Sequence, residues 1–381
     1  MIRARTSPFY QRLSLSLISL TIICLAIFIG QDIIVPLAFA ILMAILLLPI
    51  TNFLERKKVP RVMADIIAIL IALLFISGIV YFLSSQISSF MQDLPSIKKH
   101  LADHWKTVQK WVSHQFHFTR MQQSNFMDDA ADKIKSSGTG ILGDTVISLT
   151  QAIMVLVLLP VYTFLILYYR EMIKKFFVGV FKDEHEAKVM EVLRESRSIV
   201  QGYMVGLIIE MGIVAAINSL GFIILGIQYA IFLGVLAAIL NMIPYIGMLI
   251  ASVFCMLITL TNSTDITDIL GVLAILIVVQ FIDNNIIMPK VVSSKVKINA
   301  LITILGVLVG GALAGVSGMF LSIPAIAILK VIFDRVDNLK PWGMLLGDDI
   351  TGATKSKFYM KLGVFNKKSM APSPIKPPTL D

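Results

Sequence analysis

The sequence predicts an all-α polytopic membrane protein of about six full spans plus two re-entrant hairpins, drawn from eight apolar blocks, with an inverted repeat in the C-terminal half. Three observations predict it. Of 381 residues, 57% are hydrophobic and 15% charged, with a mean hydropathy of +0.84; soluble chains are about half apolar and a quarter charged. The apolar residues gather into runs over 13–30, 33–54, 62–83, 144–169, 203–226, 229–260, 269–288 and 299–333, and about twenty such residues cross a bilayer. Basic residues cluster in the short loops between runs, as cytoplasmic flanks do. That placement accounts for the net charge of +9 without nucleic acid, and no such partner is expected.

Taken in order, Arg3, Arg5 and Arg12 hold the amino terminus inside, and no small-residue cleavage site follows the first run, so it reads as a retained helix. Residues 1–83 form the N-terminal transmembrane helices. The basic loop Glu55–Arg61 is cytoplasmic, which leaves 84–143 outside. In that external segment Ile87, Met91, Leu94, Leu101, Trp105, Val108 and Val112 recur at helical steps and form an amphipathic stripe, suited to packing on the membrane domain or a sister subunit. Residues 144–202 hold the fourth span and a cytoplasmic amphipathic helix rich in Lys and Arg. Residues 203–340 form a core of helix and hairpin units, and 341–381, with four prolines near the end, reads as a cytoplasmic, disordered tail.

Blocks 229–260 and 299–333 are too long for one upright span and too short for two. Each breaks in the middle, at Asn241–Gly247 and at Gly310–Gly318. The loop 261–268 lacks Lys and Arg, whereas Lys290, Lys295 and Lys297 follow Pro289; folding both blocks back on themselves satisfies that charge distribution. Both termini then lie in the cytoplasm.

Buried polar groups mark where chemistry could sit. Glu210 stands in an apolar stretch, where a central carboxylate costs roughly 2.5–3.5 kcal/mol on insertion scales; it either faces a pathway or makes a structural bond near the cytoplasmic interface. Gln280, Asp283 and Asn284 close an apolar helix ahead of Pro289 and either present oxygens and amides to a small polar solute or cation, or cap a helix end. The Asn241, Pro244, Tyr245 and Gly247 break either exposes backbone for binding or merely kinks a helix. No enzyme, cofactor or metal site is expected. The Gly138–Gly143 run matches a dinucleotide fingerprint but lacks a preceding strand, no phosphate-binding loop motif occurs, and all five histidines lie outside the spans. Cys24 and Cys255 have no spacing partners for a disulfide framework or a thiolate site.

Gly226 with Leu236–Gly247, and Gln280–Asn284 with Pro289, resemble the motifs of the autoinducer-2 exporter family of bacterial membrane permeases. The likeness extends to about residue 340, with Met248 where the family often has a second proline and Asn299–Ala300 where it often has His–Pro. It implies a multi-pass inner-membrane secondary transporter of a small polar solute such as an autoinducer-2-like signal, or a sodium/proton antiporter. Asn241, Pro244, Tyr245, Gly247, Gln280, Asp283, Asn284 and Pro289 are the matching positions; Glu210 joins Asp283 as a candidate for the coupling ion, proton or sodium. Membrane lipid and a homo-oligomer are the other expected partners. A non-transporting membrane scaffold is the reading from a different class.

Overall fold

The computed structural model describes residues 9–92, 157–181, 185–243, 246–262, 266–292 and 298–348, and the regular elements among them are helical. In chain order they are α1 (Phe9–Ile29), α2 (Gln31–Arg56), α3 (Arg61–Gln92), α4 (Val157–Tyr168), α5 (Arg170–Val180), α6 (Glu186–Ile224), α7 (Ala230–Asn241) and α8 (Ile246–Asn262). Then come α9 (Ile266–Ile282), a π-helical turn (Asp283–Ile287), α10 (Met288–Val291), α11 (Ala300–Arg335) and α12 (Lys340–Leu346). Among the described residues five helices are long and apolar enough to cross a membrane, with shorter apolar helices beside them. The chain is therefore a polytopic helical membrane protein. The amphipathic stripe expected beyond Gln92, the Pro244–Tyr245 pair and the residues from 349 onward lie outside the described residues, whereas residues 341–346, expected as the start of a disordered tail, are helical in α12 and held by Asn299. Two helices outrun the apolar blocks: α3 continues to Gln92, and α6 joins the basic segment and the fifth block in one 39-residue helix.

The C-terminal half packs around α6. That helix ends in a turn that Gly226 makes with φ +69°. Ile227 N–H bonds the Phe222 carbonyl at 2.9 Å, and both side chains are buried, the hydrogen-bond and apolar pattern of a helix closed by a left-handed glycine. The chain then returns as α7, whose Gly234 lies flush against Ser219 of α6. α9 runs antiparallel along another face of α6: Gly221 meets Ile275, Gly271 meets Leu225, and Gly206 meets the Val291–Val292 backbone. Small residues let helices approach closely where lipid supplies no hydrophobic drive between them.

Both long blocks fold back on themselves. In the first, Cys255 Sγ of α8 reaches the Leu233 carbonyl of α7 at 3.9 Å, and Gly247 rests against the Leu240 carbonyl. In the second, helical geometry fails at Ala314 and at Gly315, which has φ +59°. The two arms of α11 then pair: Gly310 faces Gly318, and the Ser322 hydroxyl stands 2.8 Å from the Gly306 carbonyl, 16 residues back. Asn299 fixes where this unit begins. Its side chain accepts from Ile302 N–H and donates to the Leu345 and Gly347 carbonyls, so one amide caps α11 and ties down α12. The capping role makes structural sense of Asn299–Ala300 at a position where a family resemblance leads one to look for His–Pro.

Candidate functional site

Three polar residues distant in sequence meet inside this apolar packing. Glu210 comes from the middle of α6, Asn241 from the last residue of α7, and Asp283 from the start of the π-turn. Asp283 is 2% exposed and Glu210 8%. Asn241 Nδ2 donates to Asp283 Oδ2 at 3.0 Å, and the Glu210 carboxyl lies close enough to Asp283 for the two to interact electrostatically. Two ionised carboxyls side by side have only acceptor oxygens and repel each other. Glu210 Oε2 and Asp283 Oδ1 are buried without a hydrogen-bond partner among the described residues. Beside the pair, Leu207, Glu210, Met211, Ala238, Asn241 and Met242 line a crevice too tight to admit water.

The local sequence explains why Asp283 turns inward. Pro289 has no N–H to give and its ring crowds the preceding turn, so the helix widens to i→i+5 spacing over Asp283–Ile287. The Asn285 side chain bonds the Phe281 carbonyl at 2.8 Å, supporting the widened turn from outside. A π-turn at a buried acid is a common mark of functional positions in helices.

The predicted residues therefore divide. Glu210, Asn241 and Asp283 come together. Gln280 and Asn284 bond each other at 3.0 Å on the more exposed side of α9, with Asn284 facing away from the carboxyl pair. Pro289 opens α10, and Gly247 closes the tip between α7 and α8; Pro244 and Tyr245 are outside the described residues. The second hairpin approaches through its returning arm: Phe320, Leu321 and Ile323 pack in one cluster with Tyr203, Leu207 and Met242.

The sequence reading missed a second buried polar cluster. Asp65 of α3 is 0% exposed, and neither of its oxygens has a hydrogen-bond partner among the described residues. Around it, Arg170 grips both oxygens of Glu55 at 2.7 Å and reaches Thr51 at 3.4 Å, while Arg61 donates to the Leu167 carbonyl at 2.9 Å. By sequence alone Arg61 and Arg170 are basic residues flanking apolar runs. The signal available was Asp65 itself, an acid one helical turn beyond Arg61 in an apolar run.

Helices that bury acids and amides within apolar packing define a multi-pass membrane protein with a polar interior cluster. The model of the AI-2E family transporters matches residues 17–338, and the chain belongs to that family. Among its relatives, YrrI of Bacillus subtilis (strain 168), named as a candidate transport protein, is 26% identical over 309 residues, covering 79% of this chain and 86% of YrrI. YhhT of Escherichia coli (strain K12), likewise a candidate transport protein, is 26% identical over 335 residues, 87% of this chain and 93% of YhhT. The candidate permease PerM of the same strain is 25% identical over 318 residues, 80% and 88% of the two chains. The protein is thus a multi-pass bacterial membrane protein of a family of transporters and permeases.

Proposed function

We propose that this protein is a secondary transporter, a permease or exporter of a small polar solute such as an autoinducer-2-like signal, driven by an ion gradient. The observation that carries the reading is the Glu210, Asn241 and Asp283 cluster, buried where α6, the first helix break and the π-turn converge. A proton shared by two carboxyls can be released or exchanged for a cation, and each exchange changes the charge that the surrounding helices must accommodate. That is the physical basis for coupling solute movement to a proton or sodium gradient.

In this mechanism the two folded-back units are re-entrant hairpins, α7–α8 entering from outside and the arms of α11 from inside. Each follows a span, α6 or α9, so that 203–260 and 269–333 form an inverted repeat within a transport core of residues 203–340. The bond from Asn241 to Asp283 supports this, because it joins the tip of the first unit to the span of the second. Alternating access moves one unit against the other and opens the crevice beside Glu210 to each side in turn. Both termini are cytoplasmic in the bacterial inner membrane, with 84–143 external.

A second reading, sodium/proton antiport, is favoured by the two unpartnered carboxyl oxygens, since acceptor oxygens suit a hard cation. The test is tracer flux of small polar metabolites and of sodium in proteoliposomes carrying imposed gradients. Saturable, gradient-dependent flux of a metabolite supports the transporter, and sodium-for-proton exchange alone supports the antiporter. Absence of any gradient-dependent flux overturns both and favours a membrane scaffold.

A further inference from the structure

The helix α5 has a chemistry that its neighbours do not explain. None of its residues is buried. Met172, Ile173, Phe176, Phe177 and Val180 lie within an arc of about 140° at the helical repeat, with Glu171, Lys174 and Lys175 opposite. Phe176 and Val180 are 63% and 61% exposed, as open as the outer faces of the spans. An apolar face this wide, backed by lysines, is the pattern of a helix lying in a membrane interface.

Its place in the fold supplies the second argument. α5 is separated from the apolar helix α4 by Tyr169 alone, whose ψ of 12° bends the chain while its backbone hydrogen bonds to Leu165 and Ile173 continue. The grip of Arg170 on Glu55 pins that start to the end of α2. At the same level Lys57 lies over Phe53, Arg61 lies over Tyr168, and Tyr168 meets Tyr169 edge to face. Aromatic rings mixed with cations mark the headgroup level of a bilayer. The exposed apolar residues Val161, Leu165 and Tyr168 of α4 continue at helical steps into Met172 and Phe176 of α5, and the lysines of α5 suit anionic headgroups.

We propose that α5 is an interfacial anchor: its Met172, Ile173, Phe176, Phe177 and Val180 face sits at the acyl–headgroup boundary, and Lys174 and Lys175 contact anionic lipid. This stands apart from the transport reading and requires neither a solute nor a coupling ion. The full chain, carrying Cys24→Ser and Cys255→Ala, is reconstituted in phosphatidylcholine vesicles with and without phosphatidylglycerol. An environment-sensitive fluorophore is placed at Phe176→Cys or, in a separate sample, at Lys174→Cys. The expected result is strong quenching of the Phe176 probe, and weak quenching of the Lys174 probe, by lipids brominated near the top of the acyl chain. Lys174→Gln with Lys175→Gln shifts the docked-to-undocked ratio roughly twenty-fivefold in phosphatidylglycerol vesicles, at about fivefold per lysine, and not in pure phosphatidylcholine. A Phe176 probe that lipid does not quench overturns the proposal. If that site instead cross-links to a second copy through a bifunctional maleimide, the face is a subunit contact. Equal docking of wild type and the double lysine variant in both vesicle types overturns the anionic-lipid contact.

Discussion

A disulfide across the second hairpin tests its folding-back with little ambiguity. A Cβ built on Gly306 lies 3.9 Å from Ser322 Cβ, inside the ~3.5–4.5 Å range of natural disulfides. Were residues 300–335 one straight helix, the 16 residues between them would hold these positions about 24 Å apart. Gly306→Cys with Ser322→Cys, in a chain whose two native cysteines are replaced, should therefore cross-link within one molecule under mild oxidant. The new side chain displaces the end of Ile326, a flexible terminus that can swing aside. Closing a loop of this length stabilises by about 3 kcal/mol in the chain-entropy description, less the strain of the displaced Ile326 and the lost Ser322 hydroxyl bond. The assay is protection from a mass-tagged maleimide before and after reduction, with loss of activity on reduction not required. If both thiols remain fully modifiable after oxidation in protein that stays folded, the folded-back reading of the second block is wrong.

Other predictions follow from named contacts. Asn299→Ala removes a cap and two bonds to α12, so it should cost about 1–2 kcal/mol and speed protease cleavage after Arg335, read by limited digestion. Glu55→Ala leaves Arg170 without its carboxylate and should destabilise by about 1–3 kcal/mol; adding Arg170→Ala should cost less than the sum of the two singles in a thermal-unfolding cycle. Asp337, bonded to Lys340 and Lys188, is held below the usual carboxylate range. A lowered carboxyl contributes above its unfolded pKa and loses that contribution as pH falls through the folded value. Hydrogen exchange in α12 should therefore quicken only at pH below the ordinary aspartate range, and Asp337→Asn should abolish that pH step. Gly310→Val pushes a side chain into Gly318 and Ser322 and should cost about 1–3 kcal/mol by overpacking, measured as a lower thermal midpoint in detergent.

Much of the fold was legible because membrane helices announce themselves by apolar length, and because glycine and proline tell where such a helix fails. The breaks near Pro244 and at Ala314–Gly315 fall inside the stretches that composition singled out. The candidate site was only half legible. On a regular helix Gln280 would lie beside both Asp283 and Asn284, yet the π-turn rephases the backbone so that Gln280 bonds Asn284 while Asp283 turns inward. That rotation depends on how a proline distorts the turn before it, which a fixed 3.6-residue period does not contain. The meeting of Glu210 with Asp283 depends on the antiparallel register of α6 and α9, set by close approaches at Gly206, Gly221 and Gly271. Asp65 was passed over for a related reason: its neighbours Glu55 and Arg170 come from other helices, and each looked like an ordinary loop charge until the packing brought them together.

The most direct test of the central claim sets the inward and outward polar groups against each other in one flux assay. Proteoliposomes with equal amounts of folded protein carry wild type, Glu210→Gln, Asp283→Asn or Asn284→Ala, and the initial rate of gradient-driven flux is measured for each. A shared proton lost from the buried pair should cut flux by tenfold or more in the two acid variants, roughly the effect of 1.4 kcal/mol or above on the rate-limiting step, and leave Asn284→Ala within about twofold of wild type. Wild-type flux in Asp283→Asn together with collapse in Asn284→Ala would place the working site on the exposed side of α9 and contradict the account.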